Sequence, residues 1–184
     1  MEKVTGLAGL LRASCLILGL ALVHLPSSAQ QKFKYSYQLP PEIKSTYKQV
    51  QFMDVGDVPE HRVRYAELQT IYPADKPAPV YAGVRVKETN TVLIGEQISG
   101  NGTSAGYGVY SMDNGDKIFT RTTLTLQSSV EDGKTSTKFD QVSHILGGTG
   151  KFKNIRGVLR SSGRTDLRNG TSGNTTEGEY YFQD

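Results

Sequence analysis

Alternation of apolar and polar residues runs through most of this chain. In APVYAGVRVKE, Val80, Ala82, Val84 and Val86 fall on one face, with Tyr81, Arg85 and Lys87 on the other. In TVLIGEQISG, Val92, Ile94 and Ile98 share a face, and in KIFTRTTLTLQ, Ile118, Leu124 and Leu126 alternate with Phe119, Arg121 and Thr125. In RVRYAELQTIY, Val63, Tyr65 and Ile71 alternate with Ala66 and Leu68. A period of two is the signature of a strand with two unlike faces. Turn-forming segments separate the runs: YPADKPAP, ETNT, GNGTSAG, MDNGDK, VEDGK, GGTG and RNGTSGNT. Asn114-Gly115 and Asp132-Gly133 predict hairpin turns, since such pairs tolerate positive φ. Together these signals predict roughly eight strands of about 6 to 11 residues, as in a β-sandwich or a closed barrel. The best helical candidate is short, Pro41 to Tyr47, and residues 30–45 read as a loosely ordered lead-in to a barrel domain over 46–184.

The first 29 residues have a different character. Lys3 and Arg12 precede an apolar run from Ala13 to Leu25, and Ser27-Ser28-Ala29 offers small residues at a cleavage site. This is the pattern of a secretory signal peptide cut near Ala29. The run falls short of the roughly 20 residues a bilayer span needs. A secreted or periplasmic location follows as the expectation. Removing the segment leaves about 155 residues, enough for one domain with one core. It also removes Cys15, the single cysteine, so the mature chain would hold no disulfide and no thiolate metal site. His61 and His144 alone make a multi-histidine metal centre improbable, and no metal is expected. The formal charge of +3 is too small to imply nucleic acid.

HILGGTGKFKNIRG, His144 to Gly157, raises the question of a phosphate loop. A Walker loop needs glycine five positions before its Gly-Lys, where this chain has Ile145, and a helix after it, where this chain shows no helical period. A dinucleotide fingerprint fails too, because Lys153 occupies the third glycine position. Gly147, Gly148, Thr149 and Gly150 therefore read as a structural corner. Phe152 would plug one end of the core, and Gly157 would permit close packing as the next strand begins.

GGTGKF followed by Arg156-Gly157 resembles the signature of dirigent proteins, and allene oxide cyclases carry a similar segment. Asn114-Gly115-Asp116-Lys117 and the terminal Gly178-Glu179-Tyr180-Tyr181-Phe182 sit where such barrels place a hairpin turn and a closing strand. The resemblance implies an eight-stranded antiparallel barrel, closed around a hydrophobic cavity and often part of a homo-oligomer. It implies either cyclisation of a reactive lipid epoxide or steering of phenolic radical coupling, both without a metal or organic cofactor. The residues those families use for chemistry find no match in this chain.

If the apolar strand faces line a cavity, polar residues on them become candidates for chemistry. Glu96 shares a face with Val92, Ile94 and Ile98, and Glu67 shares one with Val63, Tyr65 and Ile71. Either could act as a general acid or base if buried, or simply reach solvent. Arg121 could hold a ligand carboxylate or neutralise one of these glutamates. Tyr65, Tyr107 and Tyr110 could offer hydroxyls to a ligand, or pack half-buried. His144 could carry a proton or serve as a hydrogen-bonded structural group. Arg156, Arg160, Arg164 and Arg168 recur every fourth position, which on a strand places them on one face. Such a stripe could dock an anionic partner, or form a solvated exterior that discourages edge pairing. Asn101, Asn169 and Asn174 head glycosylation sequons in predicted turns.

Three readings stay open. One is an exported barrel that binds a small hydrophobic or phenolic molecule. Another is a cofactor-independent cyclase or isomerase that holds a reactive conformer. The third is a barrel whose arginine face docks a partner. The first two require a lined interior.

Overall fold

The computed structural model describes residues 30–131, 134–166 and 170–184, so the signal-like segment, Asp132-Gly133, Arg168 and Asn169 lie outside the described residues. The described chain is all-β. Its strands are β1 (Lys32–Gln38), β2 (Ser45–Asp54), β3 (His61–Ile71), β4 (Val80–Tyr81), β5 (Val84–Ile98), β6 (Asn101–Met112), β7 (Lys117–Glu131), β8 (Lys134–Gly148), β9 (Ile155–Asp166) and β10 (Gly170–Phe182). One 3-10 turn, Gly150–Phe152, joins β8 to β9. Among the described residues no helix is long and apolar enough to cross a membrane.

All pairings are antiparallel, and the sheet order is β1-β10-β2-β3-β5-β6-β7-β8-β9, with β9 also paired to β10 and β4 to β5. The sheet therefore curls until its far strand meets β10. The expected closed barrel of eight strands is corrected at one seam. Between β2 and β10 the ladder is a single residue pair, Ser45 with Thr171. β1 is the reason: from Lys32↔Tyr181 to Gln38↔Thr175 it occupies the edge of β10 that a closing β2 would need. Three strands, β5, β7 and β8, also run to 15 residues, longer than the alternation predicts.

β1 overturns a second expectation, that residues 30–45 are loosely ordered. Tyr35, Leu39 and Ile43 are buried in the main core, so this segment is held by packing as well as by its ladder. Nor is there a helix over Pro41 to Tyr47. The Ile43 N–H bonds Pro40 O at 3.0 Å in a tight turn, and β2 starts two residues later. A third correction concerns Ala82, which alternation places inside a strand. Ala82 and Gly83 have φ of 46° and 80°, the paired left-handed conformations of a two-residue hairpin turn between β4 and β5.

The interior holds two apolar clusters. Tyr35, Tyr81, Val86, Met112, Phe152, Ile155 and Tyr180 belong to the larger one. Leu93, Leu124, Leu126 and Phe139 form the smaller one, with Leu68 packed against it. Buried hydroxyls complete the interior in pairs: Thr122 with Ser143 at 2.8 Å, and Ser161 with Thr176 at 2.8 Å. Each pair satisfies groups that would otherwise be costly to bury.

The glycine cluster is the clasp of the larger cluster. The Thr149 N–H bonds Lys117 O at 2.9 Å, and Thr149 Oγ1 accepts from the Lys117 N–H at 2.9 Å. The Lys151 N–H bonds Asp116 Oδ2 at 3.1 Å, tying the corner to the Asn114-Gly115 hairpin. Gly150 has φ of +49°, and a Cβ there would lie 2.0 Å from Asp116 Oδ1. Phe152 is fully buried in the larger cluster, and no helix follows Lys151. Gly157 lies between Ile145 and Tyr180 in the sheet, where a Cβ would meet Glu179 O at 2.4 Å.

Candidate functional site

Register decides which residues can reach the interior. Directly paired residues share a face, so the pairs Arg64↔Gly95, Ala66↔Leu93, Leu68↔Thr91 and Thr70↔Thr89 mark the inward set of β3 and β5. The outward set is then Val63↔Glu96, Tyr65↔Ile94 and Glu67↔Val92. The apolar face Val92, Ile94 and Ile98 consequently points away from the interior, and Ile94 is 59% exposed. Glu96 follows it outward, with 66% of its side chain exposed. Glu67 and Tyr65 bond each other on the same outer face. Tyr107 pairs Val92 on one side and Arg121 on the other, is 61% exposed, and shares the exterior with exposed Arg121 and His144.

Of the catalytic and ligand-binding candidates, Tyr110 alone reaches the interior. Glu96, Glu67, Arg121, Tyr65 and Tyr107 do not converge on a cavity. The premise that the apolar face of each strand is the inner one is what fails. Arg156, Arg160 and Arg164 do share the outer face of β9, where Arg160 pairs with Glu177 and Arg164 with Lys138. Arg164 also bonds Ser136 Oγ.

The outward cluster has its own chemistry at one end of β3. His61 Nε2 lies 2.7 Å from Glu96 Oε1 and Nδ1 lies 2.6 Å from Asp57 Oδ1. The bond to Asp57 raises the His61 pKa above its ordinary value, and the bond to Glu96 adds to it. The Asp57 carboxyl is held low by the Val58 N–H, 2.7 Å from Oδ1, and then by His61. Glu96 is thus an ion-pair partner at the surface.

The interior cavity lies between the two core clusters and has a volume of about 140 Å³. Its aromatic wall includes the buried Tyr35, Tyr72, Tyr81, Tyr110 and Phe139, with Tyr37 and Tyr47 at the margin; Leu93, Leu124 and Leu126 add an aliphatic floor. Tyr35 and Tyr81 stack with centroids 4.7 Å apart and 12° between planes, which fixes two of these rings. Burial raises the phenols of the four buried tyrosines: Tyr110 to about 12, and Tyr35, Tyr72 and Tyr81 further. At neutral pH they are protonated hydrogen-bond donors and poor bases.

Arg64 supplies the only formal charge in the lining among the described residues. It is 3% exposed, and neither its Nε nor its Nη2 has a hydrogen-bond partner. Its guanidinium carbon stands 4.8 Å from the Tyr47 ring centroid and 5.9 Å from that of Phe52. Aromatic contact stabilises the faces of the cation but leaves its edge bare. Asn174 Oδ1 and the Tyr81 hydroxyl are further unpartnered buried atoms of the lining, so this sequon asparagine belongs to the cavity wall and not to an exposed turn.

Sequence reasoning missed Arg64, Tyr35, Tyr72, Tyr81 and Asn174. For Arg64 a signal existed: it stands in register with Ala66 and Leu68, and so on the face opposite Tyr65. A wider hollow of about 950 Å³ borders outward residues such as Thr123, Thr125, Asp140, Arg160 and Glu177, and among the described residues no buried polar group there lacks a partner. Comparison of the chain with protein-family models, with curated proteins and with solved structures finds no match.

Proposed function

We propose that this chain is an exported binding protein whose curled sheet acts as a barrel, holding a small hydrophobic or phenolic molecule. The observation that carries the reading is the cavity of about 140 Å³ between the two core clusters, lined by six tyrosines and a phenylalanine. A cavity of about 150 Å³ lined by apolar side chains is large enough to take up benzene, so a single-ring compound fits this one. Protonated phenols at the wall favour ligands that accept hydrogen bonds. Among the described residues, carboxylates, which acid–base catalysis would call on, are outside the lining. Any effect on reactivity would therefore come from holding one conformer in a dry pocket, as the resemblance to dirigent proteins and allene oxide cyclases suggests.

Thermal unfolding in the presence of single-ring phenols and short unsaturated hydrocarbons tests the reading. A ligand of the folded state raises Tm with concentration. The Tm rise should vanish in Thr91→Trp, which fills the cavity from β5. Failure of every such compound to shift Tm, or equal shifts in Thr91→Trp, would reject a cavity ligand.

A further inference from the structure

We propose that the cavity is a carboxylate site: it takes a small aromatic acid whose carboxylate pairs with the bare edge of the Arg64 guanidinium. The inference rests on the cavity being a ligand site and names the class of ligand.

An ionised guanidinium is rarely buried without a partner, because its desolvation is not recovered. Arg64 has two aromatic rings near it and no carboxylate in the cavity lining. Nε and Nη2 are its two unpartnered nitrogens and form one edge of the guanidinium plane; both are closed to water in the free protein, so the side chain must turn to present that edge to the cavity. Their parallel N–H groups match the two oxygens of a carboxylate, the strongest neutralising contact available to arginine. A lone hydroxyl or amide could satisfy one donor and would leave the charge uncompensated.

The rest of the lining limits what the carboxylate may be attached to. Tyr35, Tyr72, Tyr81, Tyr110 and Phe139 offer ring faces and edges, which suit an aromatic body. The volume of about 140 Å³ accommodates one ring with a short tail. Asn174 Oδ1 is an acceptor and repels a carboxylate, and the unpartnered Tyr81 hydroxyl can donate one hydrogen bond but carries no charge, so Arg64 is the group that neutralises the ligand. A ring bearing a short acidic tail, of the benzoate to cinnamate type, meets all of these demands.

Isothermal titration calorimetry of the full chain with trans-cinnamate and with its neutral analogue cinnamamide tests the inference. Cinnamate should bind about ten- to a hundredfold more tightly than the amide, the margin of a charge-assisted pair over a neutral one. Arg64→Met should remove that margin while leaving cinnamamide affinity within about threefold, since the apolar walls are untouched. Arg64→Lys keeps a charge without the two-donor edge and should lose part of the margin. Tyrosine near-UV circular dichroism checks that each variant is folded. Equal affinities of acid and amide for the unsubstituted chain would overturn the carboxylate inference and leave the cavity reading standing. So would undiminished cinnamate binding in Arg64→Met, or in Arg64→Lys should the methionine variant not fold. Binding of neither compound, together with no Tm shift from any single-ring phenol, would remove both.

Discussion

Arg64 lies on β3 opposite Gly95 of β5, with the Tyr47 and Phe52 rings near its guanidinium and no anion against it among the described residues. A buried guanidinium without an anion is a destabilising element in the free protein, tolerated for what it can hold. Arg64→Met, which keeps the volume and discards the charge, is expected to stabilise the unliganded chain by about 1–4 kcal/mol in urea unfolding. A loss of stability on that substitution would mean that the charge is already compensated. His61 makes the opposite kind of contribution. Its pKa in the folded chain is raised above 6.5 by Asp57 and Glu96, so its stabilisation is complete below 6.5 and fades as pH rises through the folded value. Asp57 has a lowered pKa, so its share is present above the unfolded value of 3.8 and fades as pH falls through the folded one. The stability difference between the natural chain and His61→Gln should therefore shrink as pH rises above 6.5 through the raised folded value, as measured by urea midpoints. A difference independent of pH would rule out the proposed ion pairs.

At the level of strands and turns much was legible from the chain. The period of two, the turn residues and the corner at Gly147 to Gly150 are local features, set by φ preferences and side-chain geometry. The face each strand turns inward was not legible, because alternation distinguishes two faces without labelling them. In β7 the apolar face of Ile118, Leu124 and Leu126 is indeed the buried one, and it carries Thr120 and Thr122 inward with it, Thr122 paired to Ser143. In β5 the same rule fails, since β-branched Val92, Ile94 and Ile98 suit the extended backbone and yet lie on the outside. β1 was missed although KFKYSYQ alternates Phe33, Tyr35 and Tyr37 with Lys34 and Ser36, the period its burial follows; only its partner, the distant β10, has no local signal. At the corner, Gly150→Ala combines a left-handed backbone with a clash against the Asp116 carboxylate. A loss of about 1–3 kcal/mol is expected, read as a lower urea midpoint with an unchanged slope. A neutral substitution would show that the corner relaxes freely.

Across the whole molecule, the sheet curls because each strand twists relative to its neighbour, and β9 reaches β10 after the turn is complete. β1 covers the remaining edge, so the seam beside β2 is bridged by a single pair and by packing between Leu39, Ile43 and the core. Two core clusters then leave a tyrosine-walled space between them, with one charge at its wall. Everything proposed about ligands depends on the inner face being the face that carries Arg64, Leu93, Tyr110 and Thr122. Thr122 and Thr123 are adjacent, chemically identical and opposite in facing: Thr122 is 2% exposed, and Thr123 is exposed. In a Cys15→Ser background, Thr122→Cys and Thr123→Cys each introduce one nearly isosteric thiol that a maleimide can titrate. Thr123→Cys should react as a free surface thiol, and Thr122→Cys on the order of a hundredfold more slowly, limited by local opening. Equal rates, or faster reaction at position 122, would contradict the assignment of the inner face and with it the cavity.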